Sequence, residues 1–201
     1  MSTTYQVLIH PTATPDNAAA EAARLRNTLI DAGIIAAETS SDVVLNGIGY
    51  LPGPKLNELY RCQPATADCP AELDYWNDLT EIGVQIVAEK WVNFFGFTVF
   101  HWMRCPTCEA TFNDPHDLVG SLVDAAANFY NDEGSTDIPC PACERSFDVT
   151  RWRTKPDLGL CYVAALFWNW PTFESPGWQI SIPEQISQAL GVSLKTSFGR
   201  I

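Results

Sequence analysis

Four of the seven cysteines fall in two matched pairs, Cys105-Pro-Thr-Cys108 and Cys140-Pro-Ala-Cys143. Two residues between thiols let a tight turn aim both sulfurs at one ion, and two such turns complete a tetrahedron of thiolates. That is the closed environment of a structural zinc ion. With every position filled by sulfur, no place remains for water or substrate, so a catalytic metal is disfavoured. The gap between the pairs, Glu109 to Pro139, spans 31 residues, longer than the roughly 15–20 of compact four-cysteine patterns. A helix within the gap would bring its two ends back together. Each pair is followed a few residues on by an aromatic, Phe112 or Phe147, able to shield the sulfurs on one side. A redox pair would need a helix N-terminus to depress one thiol pKa, and two copies in matched turns point to metal instead.

The other chemistry-bearing residues are scattered. Cys62 and Cys69 sit in a polar stretch with no histidine beside them, and Cys161 lies in an apolar run as a small core residue. Of the three histidines, His101 stands four residues before Cys105 and is a candidate neighbour of the sulfurs. His10 and His116 have no such company. The loop around Asp132, Glu133 and Asp137 lacks the spacing of a calcium-binding hand. Neither a phosphate-binding G-x-x-x-x-G-K-[ST] nor a dinucleotide G-x-G-x-x-G occurs. No catalytic constellation emerges. Arg151, Arg153 and Lys155 alternate around Trp152, which on a strand would place the three cations on one face.

Charge narrows the classes of partner. The chain carries 12 basic and 24 acidic residues, a net charge of −12. Residues 1–100, 101–155 and 156–201 contribute −7, −4 and −1, so no segment is positive overall. Nucleic acid is disfavoured, since phosphate binding needs electropositive surface. A basic protein partner is the expectation that an acidic balance favours. No basic leader with an apolar core opens the chain, and the longest apolar run, Leu160–Trp168, is too short to span a bilayer. The expectation is a cytoplasmic protein with reduced thiols and no membrane partner.

Periodicity supplies the elements that must position the cysteines. Tyr5–His10 reads as a strand. A helix from an Asp16 cap to Ala32, with Ala18, Ala22, Leu25 and Leu29 on one face, stops at Gly33. Asp42–Gly49 reads as a second strand, Leu56–Tyr60 as a short helix, Asp74–Gly83 as a helix and Val84–Lys90 as a strand. The aromatic stretch Trp91–Trp102 has β character. Asp114, followed by Pro115, caps a helix to Asn131. Leu160–Trp168 reads as a buried strand, and the aromatics of residues 167–178 as core or, at Trp170 and Trp178, as a groove. Ser181-Ile-Pro-Glu184 opens a helix closed by Gly191, and Val192–Phe198 ends the chain as a strand. No repeat of fixed period is evident. The fold class expected is α+β: an antiparallel sheet with helices on one side, of ferredoxin-like type, built from residues 1–102 and 156–201, with residues 103–155 inserted.

The cysteine doublet resembles the zinc-ribbon module over about residues 100–150, which implies one structural zinc. Together with GYLPGPKL at 49–56 and FWNWP at 167–171, it also resembles an uncharacterised bacterial family bearing a sugar ABC transporter ATPase label. The missing phosphate-binding loop conflicts with that label, and the family brings no functional residues to these positions. The function expected is protein–protein binding, as an adaptor, regulator or toxin-neutralising partner. An enzyme with a site between sandwich and ribbon, using His101 or carboxylates, is the second reading, and nucleic-acid binding through the ribbon the third.

Overall fold

A computed structural model describes residues 3–45, 47–61, 81–93, 101–113, 116–155 and 157–201. The elements run β1 (Thr4–Ile9), α1 (Ala18–Asp31), β2 (Ile35–Ser40), β3 (Gly49–Pro52), α2 (Leu56–Leu59), β4 (Gly83–Val87) and β5 (Trp91–Val92). They continue with β6 (Trp102–Arg104), β7 (Thr111–Asn113), α3 (His116–Asn131), β8 (Asp137–Pro139), β9 (Ser146–Asp148) and, after a 3-10 turn at Val149–Arg151, β10 (Arg153–Lys155). The chain ends with β11 (Leu160–Cys161), β12 (Ala164–Trp168), α4 (Ile182–Leu190) and β13 (Lys195–Arg200).

Six strands form one antiparallel sheet in the order β13-β1-β12-β4-β3-β2. Strict alternation along the strands sorts their side chains between two faces. Leu8, Val84, Ala165 and Phe167 face α1 and α4, whose residues Ala22, Leu25, Leu29, Ile182 and Ile186 complete that core. Leu25 and Leu29 are fully buried, worth about 1.5–3 kcal/mol each. Ser181 caps α4 by accepting from the Glu184 amide, and Gly191 closes it in the left-handed conformation. The α+β class with helices on one face is therefore as the sequence indicates. The β12–α4–β13 crossover brackets β1, but β12, β4 and β3 all stand between β1 and the parallel strand β2.

The opposite face shows the main departure from expectation. Residues 42–45 do not form a strand; Val43 and Val44 instead lie across the sheet against Val7, Ile9, Val87 and Leu166. The close approach requires glycine in the strands beneath. A Cβ on Gly83 would meet Val43 at 2.7 Å, and one on Gly49 would meet Val44 at 2.3 Å. The apolar run thus covers the sheet rather than joining it, while Ile35–Ser40, too polar to stand out, forms edge strand β2. Smaller corrections concern ends. Asn17, not Asp16, stands at the N-cap position of α1, without a side-chain capping bond, the Leu160–Trp168 run breaks into β11 and β12, and the last strand starts at Lys195. The cap residues Asp114 and Pro115, residues 74–80 of the expected helix and residues 94–100 lie outside the described residues.

The way into the cysteine segment is narrow. β5 and β11 pair with each other, Val92 opposite Leu160 and Trp91 opposite Cys161. The chain therefore leaves the sheet and returns to it at one place. Between these strands a second apolar cluster forms, with Met103, Leu122, Phe129, Ile138, Phe147 and Trp152 at its heart. Among the described residues no helix is long and apolar enough to cross a membrane.

Candidate metal centre

Each cysteine pair occupies the turn of a short hairpin. β6 and β7 pair with Met103 opposite Phe112, and β8 and β9 with Ile138 opposite Phe147. The turns close alike: the Cys105 amide donates to the Ala110 carbonyl at 3.0 Å, and the Cys140 amide to the Arg145 carbonyl at 2.9 Å. Directly after each second cysteine, Glu109 and Glu144 take the left-handed conformation, with φ of 59° and 56°. Glycine would hold such a position without strain, whereas a residue with a Cβ loses roughly 1–2 kcal/mol there. Both turns accept that cost at the same step.

Aligned on this geometry, the two segments spell one pattern: Cys-Pro-x-Cys-Glu-x-[Thr/Ser]-Phe, from Cys105 and again from Cys140. The sequence reading matched the cysteines and phenylalanines but missed the glutamates and the hydroxyl residues, and with them the repeat. The two phenylalanines converge on Trp152, with ring centroids 6.4 Å from Phe112 and 6.5 Å from Phe147. The Trp152 indole N–H donates to the Phe147 carbonyl at 3.3 Å. This tryptophan, legible in the sequence only as part of a basic stripe, is the buried pillar joining the hairpins. Helix α3 takes up the long gap between them, laying Leu118, Leu122, Ala126 and Phe129 on the same cluster. The Asn128 side-chain amide donates to the Ser135 carbonyl at 2.8 Å, turning the chain back toward β8.

Cys105, Cys108, Cys140 and Cys143 come together with all four sulfurs within 4.8 Å of one another, an arrangement that could hold a metal ion. Sulfur–sulfur separations across the hairpins are 3.9 Å for Cys105–Cys143 and 3.8 Å for Cys108–Cys140. A tetrahedron with metal–sulfur bonds of ~2.3 Å has edges of about 3.8 Å; these two separations match it, and all the others lie within 4.8 Å. Each edge links the first cysteine of one hairpin to the second of the other. Cys105 and Cys140 are buried, Cys143 is half-buried and Cys108 is exposed.

The thiols influence one another strongly. Burial pushes the Cys105 thiol up, but the amides of Thr107 and Cys108 and the thiols of Cys108 and Cys140 together bring it down to about 7. At Cys108 the Ala110 amide pulls down, yet burial and the three neighbouring thiols leave it up at about 12. Cys140 is raised, first by burial. Without a cation Cys105 thus parts with its proton more easily than an ordinary thiol, while Cys108 and Cys140 hold theirs. A divalent cation supplies the missing charge, which is why metal binding to thiols releases protons.

The remaining candidates fall elsewhere. His101 is exposed and lines a cleft beside β10, and among the described residues the metal-competent group contains only cysteines. His10 is buried in the sheet region, its Nε2 3.3 Å from the Glu21 carboxylate. Cys161 is buried in the sheet, with its thiol pushed up to about 12 by that burial. Trp170 is buried in the sheet core and stacks on half-buried Trp178 at 6.2 Å. Asp132 pairs with Lys90 at the end of α3. Arg153 and Lys155 share one face of β10, but Arg151 ends the 3-10 turn and is not part of that strand. Cys62 and Cys69 lie outside the described residues, as does the side chain of His116.

No protein-family model, no curated protein and no solved structure matches this chain. The likeness to a zinc ribbon therefore rests on the cysteine geometry alone, and the likeness to the transporter-labelled family gains no support.

Proposed function

We propose that Cys105, Cys108, Cys140 and Cys143 bind one structural zinc ion, and that residues 103–155 are a zinc module inserted into the α+β domain. We read the whole as a cytoplasmic protein that works by binding another protein. The observation that carries this is the sulfur spacing of 3.8 and 3.9 Å across the hairpins, which suits a four-sulfur site with no open position. An ion so enclosed fixes shape. Function then falls to the surface that the shape presents.

Metal analysis of the chain purified from its native host, combined with affinity capture, tests both parts. Stoichiometric zinc is expected, lost on replacing Cys105 and Cys140 together by serine. A specific protein partner should be recovered by the unaltered chain and lost with that double variant. Zinc retained by the variant would overturn the ligand assignment, and a co-purifying small metabolite in place of a protein would overturn the binding role.

A further inference from the structure

The solvent face of the small sheet β10-β6-β7 has an unusual composition. Alternation turns Met103 and Thr154 inward, leaving Arg153, Arg104 and Thr111 in one cross-strand row and Lys155, Trp102 and Asn113 in the next. Arg153 and Arg104 stand directly opposite each other, and like charges so placed are destabilising. The Arg104 guanidinium lies over the Trp102 ring at 5.5 Å. Among the described residues of these three strands no carboxylate shares this face, although acidic residues outnumber basic ones 24 to 12 in the chain.

The face continues into a cleft of about 710 Å³ between β10 and β13. Both are outer strands of their sheets, and outer strands are natural templates for a further strand. Among the described residues, Arg151, Arg153, Lys155 and Lys195 line the cleft, against Asp157 and Glu174. Lys195 pairs with Asp157 at 3.4 Å, while among the described residues Arg104, Arg151, Arg153 and Lys155 have no carboxylate within ion-pair distance. Among the described residues the positive charge is therefore concentrated here with little direct ion pairing, Lys195–Asp157 apart, although the Arg151 charge also acts on Asp148.

We infer that this cleft and the basic face beside it receive an acidic, extended segment of a partner protein. The inference rests on the protein-binding reading above and names the partner's chemistry. It differs from the expectation drawn from net charge, which favours a basic partner: the local field around β10 has the opposite sign. A nucleic-acid strand fits less well, because the positive surface is confined to one cleft in a chain of net charge −12, whereas phosphate tracking rewards an extended basic path.

The test uses the zinc-loaded full chain and a fluorescein-labelled peptide of alternating Glu and Leu, followed by fluorescence anisotropy. A Lys–Leu peptide and a labelled oligo-deoxythymidine serve as competing probes. Binding of the Glu–Leu peptide is expected, weakening as salt is added, and weakening about tenfold or more when Arg153→Glu and Lys155→Glu are combined. Arg151→Gln with Lys195→Gln, one residue from each wall of the cleft, should weaken it less; this pair decides the matter if the first variant fails to hold zinc. Arg26→Glu on α1 should leave affinity unchanged. No binding of the Glu–Leu peptide up to about 1 mM, equal losses with Arg26→Glu, or tighter binding of either competing probe overturns the inference. A chain that holds zinc and captures its host partner yet ignores the Glu–Leu peptide sinks this inference alone.

Discussion

The six-stranded sheet and the cysteine segment reach stable packing by different means. The sheet has strands of four to six residues, two helices laid on one face, and buried side chains on both faces. The cysteine segment has hairpins with strands of only three residues each, one helix, and a single cluster that counts Cys105 and Cys140 among its buried members. Isolated hairpins so short are not stable in water. The comparison teaches that burial accounts for the packing of the first region, whereas on the zinc reading proposed above the second would rely on its tied sulfurs to hold Trp152 and the two phenylalanines in register.

The largest expected effect follows from cutting that tie. Cys140→Ser, or chelation, should remove the zinc together with a binding free energy on the order of 10–16 kcal/mol at neutral pH. The near-ultraviolet signal of Trp152 should collapse while the far-ultraviolet signal of the sheet persists. A single transition shared by both signals would show that the regions are not independent.

Next come paired truncations. Trp152→Ala should cost the cysteine segment about 3–5 kcal/mol and Phe167→Ala should cost the sheet a similar amount. Each should lower the denaturant midpoint of its own region only. Zinc content should fall, if at all, only with Trp152→Ala.

A smaller effect concerns Asp148, which caps the 3-10 turn by accepting from the Thr150 amide at 2.9 Å. Burial raises its pKa, but the Thr136 and Thr150 hydroxyls, the Thr150 amide and the Arg151 charge together hold it below the usual 3.8. A carboxyl depressed on folding stabilises at pH above its unfolded value and loses that contribution as pH falls through its folded value. Unfolding of the cysteine segment between pH 5 and pH 2, followed by Trp152 fluorescence, should therefore be less steep in Asp148→Asn. At neutral pH that variant should be only slightly less stable, since asparagine keeps a cap acceptor and loses only the charge. An unchanged acid profile would count against the capping role.

The smallest change tests the matched turns. Glu109→Gly and Glu144→Gly should each stabilise the zinc-loaded segment by about 0.5–1 kcal/mol, since relief of left-handed strain is partly offset by the freedom glycine gains on unfolding. Thermal melts should show both shifts upward and similar in size. If only one moves, the two turns are not equivalent.

Much of this contrast was legible in the residues. Helical spacing placed Ala18, Ala22, Leu25 and Leu29 on the buried side of α1, and Ser181 and Gly191 marked both ends of α4. The four cysteines were legible because ligand spacing is a local property. Residues 42–45 misled because an apolar β-branched run looks the same whether it enters a sheet or lies over one. Only the glycines beneath it, at positions 49 and 83, distinguish the cases, and their pairing with Val44 and Val43 is a tertiary fact. The order of six strands depends on long-range pairing that periodicity does not encode. The basic face was legible in part: the alternation of Arg153 and Lys155 showed in the sequence, but Arg104 lies far from them and joins only through the register of β6 and β10.

The uneven burial of the four cysteines bears on how quickly an ion would come and go. Cys105 and Cys140 lie under the packed hairpins, whereas Cys108 meets solvent. With an ion held as proposed, a competing thiol would reach it most readily from the side of exposed Cys108, so exchange should proceed by stepwise substitution beginning there, with the buried pair releasing last. Off-rate and affinity would then be set by different sulfurs: a bulkier neighbour near Cys108 would slow exchange without tightening binding.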